Sequence, residues 1–187
     1  MLNPRLASRY AKALLEIAVE KGQLDIVFGD VQWLQSVCNS SRDFVNLLRS
    51  PIIKADKKQK IVDAITKENI GVISQSFIKL VISKSRESNL PEILPAFIND
   101  YKKYNNIHTV SLTTAVPVSE SLKNTIIDQV KKSANVEKIE LEELVNPDLI
   151  GGFVLQMGDK MVDASIAYDL RVIAKQFKNN DFIYKVR

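Results

Sequence analysis

The 187 residues contain one cysteine, one histidine, one tryptophan and six glycines. A lone cysteine, Cys38, excludes an internal disulfide; it fits a reducing compartment and reads as a small buried apolar side chain. One histidine and one cysteine cannot supply a zinc site of the usual ligand count. His108 falls on an expected strand edge and reads as an ordinary imidazole. No apolar run approaches the ~18 residues that span a bilayer, so no direct membrane insertion is expected. The start, "MLNPRLASRYAKALLEIAVEKG", has no continuous apolar region of the signal-peptide kind, because Arg9, Lys12, Glu16 and Glu20 interrupt it. It is basic and amphipathic like a transit peptide, but its acidic residues and caps favour a helix of the mature protein.

Three of the glycines fall within "NPDLIGGFVLQMGDKMVDAS", from Asn146 to Ser165. A Walker-type phosphate loop needs Gly, four residues, Gly, then Lys and Ser or Thr. Here five residues separate Gly152 from Gly158, and Asp159 stands where the lysine should be, with a charge that would repel phosphate. A dinucleotide loop turns from strand into helix, whereas these glycines lead into a strand. Gly151 and Gly152 read instead as a close backbone approach or a bulge. Gly158-Asp159-Lys160 reads as a hairpin turn. No nucleophile–base pair, cofactor site or metal site is expected. The adjacent Glu142 and Glu143 would point to opposite faces of a strand and be solvated.

What is present is periodic apolar sequence. Hydrophobic residues make up 45% of the chain and charged ones 26%, enough for a core within a soluble protein. The first ~105 residues carry helical spacing throughout. Asn3-Pro4 opens a helix that stops at Gly22. A second spans about Leu24 to Cys38, and a short third carries Phe44 and Leu48 before Pro51. A fourth runs from about Lys54 to Glu68 with Ile61, Val62 and Ile65 inward. A fifth spans about Gly71 to Ser85, and a sixth runs from Leu90 past Tyr101. The texture then changes: "HTVSLTTAV" alternates as a strand does. Pro117 and Ser119 open a helix to about Ala134, "VEKIELEEL" and Phe153 to Met157 are further strands, and a short return strand follows. Asp163 or Ser165 caps a last helix bearing Ile166, Leu170, Ile173 and Phe177. The expected fold is mainly α: a six-helix bundle over residues 1–105, then a small α+β domain over 106–187.

Charge divides at the same place. Residues 1–105 hold 16 Lys and Arg against 11 Asp and Glu, net +5; residues 106–187 hold 10 against 11, net −1. Basic and acidic residues interleave, so nucleic-acid binding is only weakly signalled. Lys54, Lys57, Lys58 and Lys60 read as a solvated face. "YKKYNN" from Tyr101 sets aromatics beside lysines, but one such step makes no stacking platform.

Two helices carry more apolar surface than one core contact needs. At ~100° per residue, Leu6, Tyr10, Ala13 and Ile17 form one stripe of the first helix, and Ala7, Ala11, Leu14 and Ala18 a second. On the fifth helix Ile73, Phe77, Ile78, Leu80, Val81 and Ile82 leave only a narrow polar strip of Gln75, Ser76, Lys79 and Ser83. Either both helices are central in the bundle, or a groove between them accepts an amphipathic helix of a partner.

The segments "ASRYAKALLEIAVEKG" and "NPDLIGGFVLQMGDKMVDASIAYDLRVIAKQF" resemble the delta subunit of bacterial F-type ATP synthase, called the oligomycin-sensitivity-conferring protein in mitochondria. The pattern I-x-L-x(3)-V-N-x(2)-L-x-G-G-F-x-L-Q-x-G, from Ile139 to Gly158, is that family's C-terminal signature. The resemblance spans essentially the whole chain. It implies a non-catalytic stator subunit of the peripheral stalk, without a cofactor, coupling proton- or sodium-driven rotation to ATP synthesis. It implies that the helical domain binds the N-terminal helix of an alpha subunit between its first and fifth helices. Tyr10, Ala13, Leu14 and Ile17 would form one wall, and Ser76, Phe77, Leu80 and Lys84 the other. The C-terminal domain would join the b subunits through the last helix or the Gly158 hairpin, with Asn146, Gly151, Gly152, Gly158 and Asp159 fixing its shape. One copy per complex, peripheral on the cytoplasmic side of a bacterial inner membrane, is implied with it. The rival readings are a basic RNA- or ribosome-associated helical protein and a hydrolase on the α+β unit. The second lacks a nucleophile and base.

Overall fold

The computed structural model describes residues 4–67, 69–134, 136 and 138–178. The Asn3 cap and the Glu68 end of the fourth helix fall outside them. The chain divides into two compact units, Met1–Asn105 and Asn106–Arg187.

The first unit contains α1 (Pro4–Glu20), α2 (Leu24–Ser40), α3 (Arg42–Arg49), α4 (Ala55–Thr66), α5 (Val72–Ser83), a 3-10 turn at Glu87–Asn89 and α6 (Leu90–Tyr104). Local chemistry sets their ends. At Gly22, φ is +64°, and the amides of Gly22 and Gln23 donate back to the Val19 and Ala18 carbonyls at 3.0 and 2.9 Å. That is the Schellman arrangement, which satisfies the last carbonyls of a helix. Ser41 caps α3 by accepting from the Phe44 amide at 3.2 Å. The core gathers Ala7, Ala11, Leu14 and Ala18 of α1 with Val27, Val31 and Leu34 of α2 and Leu90, Ile93, Leu94 and Phe97 of α6. Alanines at three of the four α1 positions permit close approach, and α1 packs chiefly on α6.

Two expectations fail on α4. Its buried residues are Lys58, Val62 and Thr66, spaced four apart, while Ile61 and Ile65 face outward. Lys58, expected in a solvated face with Lys54, Lys57 and Lys60, is only 3% exposed. Its ammonium donates to Glu87 Oε1 at 2.6 Å and to the Leu48 carbonyl at 2.9 Å. Burying a lysine is tolerable only with an ionic partner and further acceptors, and these come here from α3 and from the 3-10 turn after α5.

Cys38 packs half-buried against the core, and burial pushes its thiol up to about 11. At pH 8 roughly one thiol in a thousand is then thiolate, the reactive form. Alkylation of the native protein is expected to run on the order of 100-fold slower than in urea. Equal rates, followed by mass spectrometry, would contradict this.

The second unit contains β1 (Ile107–Thr114), α7 (Glu120–Ala134), β2 (Lys138–Val145), a 3-10 turn at Pro147–Leu149, β3 (Gly152–Met157), β4 (Lys160–Ser165) and α8 (Ile166–Lys178). The sheet order is β2-β1-β3-β4, with β1 and β2 parallel and the other pairs antiparallel. The β1–α7–β2 crossover follows from the parallel pair, which no tight turn can join. Val110 and Leu112 are buried on one face, opposite Met157 and Leu155 of β3. His108 lies near the start of β1, opposite Ile139 of β2 and outside the β1–β3 register, which begins at Val110. Glu143 is not simply solvated: Lys123 of α7 bridges it at 2.7 Å and Glu120 at 2.9 Å. Bonds to Glu120 and then Glu143 hold the Lys123 ammonium above its usual range. The last helix is capped by Ser165, whose Oγ accepts from the Tyr168 amide at 3.1 Å. Asp163 orients that cap by accepting from the Ser165 hydroxyl at 2.6 Å, which lowers the Asp163 pKa.

Candidate functional site: a groove between α1 and α5

The wheel of α1 left two apolar stripes and no means to choose between them. In the fold the Ala7–Ala11–Leu14–Ala18 stripe is buried against the bundle. The Tyr10–Ala13–Ile17 stripe lies at the surface, with Ile17 44% exposed. On α5, Ser74, Phe77, Ile78, Val81 and Ile82 turn inward, while Leu80 remains 48% exposed. Between the two helices an open groove of about 540 Å³ is lined by Leu14, Ile17, Lys21 and Gln23 on one side. Val72, Ile73, Ser76, Phe77 and Leu80 line the other. The rings of Tyr10 and Phe77 meet edge to face, 6.4 Å between centroids. That geometry suits the aromatic quadrupoles and ties the two walls together.

The fold therefore brings together six of the eight wall residues inferred from sequence. Leu14, Ile17, Ser76, Phe77 and Leu80 line the groove, and Tyr10 joins them through Phe77. The other two stand apart. Ala13 is exposed on α1 without lining the groove. Lys84 sits past the end of α5, where its amide donates to the Leu80 and Ile82 carbonyls. Four lining residues were not singled out for the wall: Lys21, Gln23, Val72 and Ile73. Ile73 belongs to the apolar surface already read on the fifth helix, and Val72 beside it could have been found as its continuation. Lys21 and Gln23 flank the Gly22 turn, and their placement depends on where that turn sits against α5. Lys21 is the one charged residue among the lining.

In the second unit the signature residues hold backbone. Asn146 Oδ1 accepts from the Asp148 amide at 3.0 Å, and the Asn146 amide donates to the Thr114 carbonyl at 2.8 Å. The Gly151 carbonyl accepts from Ile166 at 3.1 Å. Gly152 has φ +76°, and a Cβ there would overlap the Ala164 carbonyl of the paired strand. This is the close approach, and no bulge exists: the β3–β4 register is continuous from Gly152↔Ser165 to Met157↔Lys160. Gly158, with φ +58°, and exposed Asp159 form the two-residue turn between those strands. Among the described residues no group of three or more His, Cys, Asp or Glu could hold a metal. No described helix is long and apolar enough to cross a membrane.

A second apolar surface occurs here. Ile126 and Val130 of α7 and Phe153, Leu155, Met157 and Val162 of the sheet line a cavity of about 410 Å³. On α8, Ile166, Leu170, Ile173 and Phe177 share one face, and all four are exposed.

A groove-bearing helical unit followed by a small mixed sheet with two helices defines the class: a mainly helical, two-unit protein whose distinctive surface is an apolar trough. The family model "ATP synthase delta (OSCP) subunit" matches residues 6–177, and the chain belongs to that family. It is thus a structural, non-catalytic subunit of the ATP synthase peripheral stalk. The ATP synthase subunit delta of Christiangramia forsetii is 32% identical over 186 residues and the full length of both chains. That of Prochlorococcus marinus subsp. pastoris is 35% identical over 87% of this chain and 90% of its own. A chain of the Toxoplasma gondii mitochondrial ATP synthase hexamer superimposes with a TM-score of 0.73 at 20% identity, over 92% of this chain and 97% of its own. At that identity the likeness concerns the fold.

Proposed function

We propose that the α1–α5 groove receives the amphipathic N-terminal helix of an alpha subunit of the catalytic head, and that the α+β unit joins the C-terminal ends of the b subunits. The chain then links the head to the membrane-anchored stalk. It holds the head still while proton- or sodium-driven rotation drives ATP synthesis. On this reading one copy serves each complex, peripheral on the cytoplasmic side of the inner membrane.

The observation that carries the reading is the groove itself. Ile17, Leu80 and Val72 are 44%, 48% and 78% exposed in one apolar trough. An amphipathic helix would bury them through anchors at i, i+3, i+4 and i+7. Lys21 at the rim favours an acidic residue on the guest. For the b subunits, the exposed face of α8 and the β3–β4 hairpin at Gly158 offer apolar surface in the second unit. The RNA-binding alternative loses its main support with Lys58 buried, since the lysine run is no continuous strip.

Calorimetric titration of the full chain with a synthetic N-terminal peptide of the same organism's alpha subunit tests the reading. One-to-one binding is expected. Tyr10→Ala and Phe77→Ala are each expected to weaken it by about 2 kcal/mol, or ~30-fold, as buried aromatic anchors do. Leu80→Ala, at a half-exposed position, tests the same wall with little effect on the core. Wild-type affinity in all three variants would move the site elsewhere, and absence of binding by the folded wild type would refute it.

A further inference from the structure

The groove has a defined width although its walls hardly pack on each other. α1 is fixed by its small-residue stripe against α6, whereas α5 packs on α4 and α2. Apolar packing in the common core and the Tyr10–Phe77 contact hold the middle of α5, while its start needs a further tie to the bundle. A residue of α2 supplies that tie. Asp30, midway along α2, is 8% exposed, with no cation beside it among the ion pairs of the described residues. Its Oδ2 accepts two hydrogen bonds from the first turn of α5: from the Gly71 amide at 2.9 Å and from the Ser74 hydroxyl at 2.6 Å. Gly71 is the N-cap residue of α5 and offers no side-chain cap of its own. The cap is instead delivered from another helix, 41 residues earlier in the chain.

This arrangement is fit for holding a helix in place. A carboxylate favours the positive end of the helix dipole, and two donors converging on one oxygen fix both distance and direction. The fit is tight on the other side too, since a Cβ on Gly71 would lie 3.2 Å from Oδ2. The held turn carries Val72 and Ile73, and Ser76 follows one turn later; all three line the groove.

We infer that Asp30 is the positioning residue of the α5 wall: it touches no guest, but sets where the groove-lining side chains of α5 stand. The inference rests on the groove being the binding site, yet it has a readout that needs no guest. Asp30→Ala leaves the Gly71 amide and the Ser74 hydroxyl without their acceptor and frees the start of α5. In the full chain, the ring-to-ring NOE between Tyr10 and Phe77 is expected to weaken. Amide exchange at residues 71–76 is expected to accelerate selectively. If only about one molecule in ten then holds the competent wall, affinity for the alpha-subunit peptide falls about tenfold. Asp30→Asn keeps an acceptor oxygen at the same place and is expected to recover most of both signals. Leu48→Ala, which opens a cavity at a fully buried α3 position, serves as a comparison: it lowers the melting temperature but leaves the NOE and the affinity unchanged.

Loss of the NOE and of affinity in Asp30→Ala, rescue in Asp30→Asn and silence in Leu48→Ala would support the positioning role. A wild-type NOE and exchange pattern in Asp30→Ala would overturn it whether or not the peptide binds. So would equal losses in Leu48→Ala, because the effect would then be one of stability. A wild-type protein that ignores the peptide while Asp30→Ala still loses the NOE would sink the proposed partner and leave the positioning role standing.

Discussion

Lys58→Ala is expected to destabilise the helical unit by about 3–5 kcal/mol, the range for breaking a buried pair by removing one partner. The Lys58 side chain is 4% exposed, and its ammonium reaches both Glu87 Oε1 and the α3 carbonyl of Leu48. Removing it strands the Glu87 carboxylate inside the protein, where Oε2 already has no hydrogen-bond partner. The expectation is asymmetric. Replacing both members by apolar side chains of similar volume, as in the double variant Lys58→Met with Glu87→Met, removes the stranded charge and should recover most of the loss. Urea unfolding of the wild type, Lys58→Ala and the double variant, followed by circular dichroism, reads both claims. A Lys58→Ala unfolding free energy within about 1 kcal/mol of wild type, the range of an exposed ion pair, would mean that the pair is solvated after all.

Gly152→Ala should be comparably severe, and confined to the second unit. An L-residue in the left-handed region costs about 1–2 kcal/mol. Here the added methyl also meets the Ala164 carbonyl of the neighbouring strand, a backbone atom that cannot turn aside. The combined effect is on the order of 4 kcal/mol, in the tail of single-substitution effects. The neighbouring glycines set the scale. At Gly151 a Cβ would lie 2.6 Å from Ile166 Cδ1, the end of an exposed and adjustable side chain, so Gly151→Ala should be milder. At Gly158 nothing lies within 4 Å, leaving only the left-handed conformational cost of about 1–2 kcal/mol. Amide exchange in β1 and β3 should therefore rise far more in Gly152→Ala than in Gly151→Ala or Gly158→Ala. Protected sheet amides in Gly152→Ala would show that the strands part without cost.

Much of this molecule is readable without coordinates, because the readable features are local. Six helices, then strands with two further helices, follow from apolar spacing of 3.6 and 2. Gly22 ends α1 because a left-handed residue is needed there, and a glycine offers it. The hairpin at Gly158 and the failure of the phosphate-loop spacing are likewise settled within a few residues. The family signature from Ile139 to Gly158 is also a local pattern. It becomes intelligible in the fold, where its glycines permit backbone contacts that no side chain could allow.

What escaped the sequence was every choice made between distant segments. Helical periodicity identified two apolar stripes on α1, but which of them is buried depends on where α6 lies. Ile61 and Ile65 looked like core residues and Lys58 like surface. The fold reverses these roles, because Glu87 and the Leu48 carbonyl stand where Lys58 can reach them. Asp30 looks like any charged residue of a helix until Gly71 and Ser74 arrive beside it. Local spacing thus determined the elements, their order and the family. The tertiary structure alone decided which faces meet, which charges can be buried and where a groove is left open, because burial and hydrogen bonding depend on neighbours that sequence distance does not reveal.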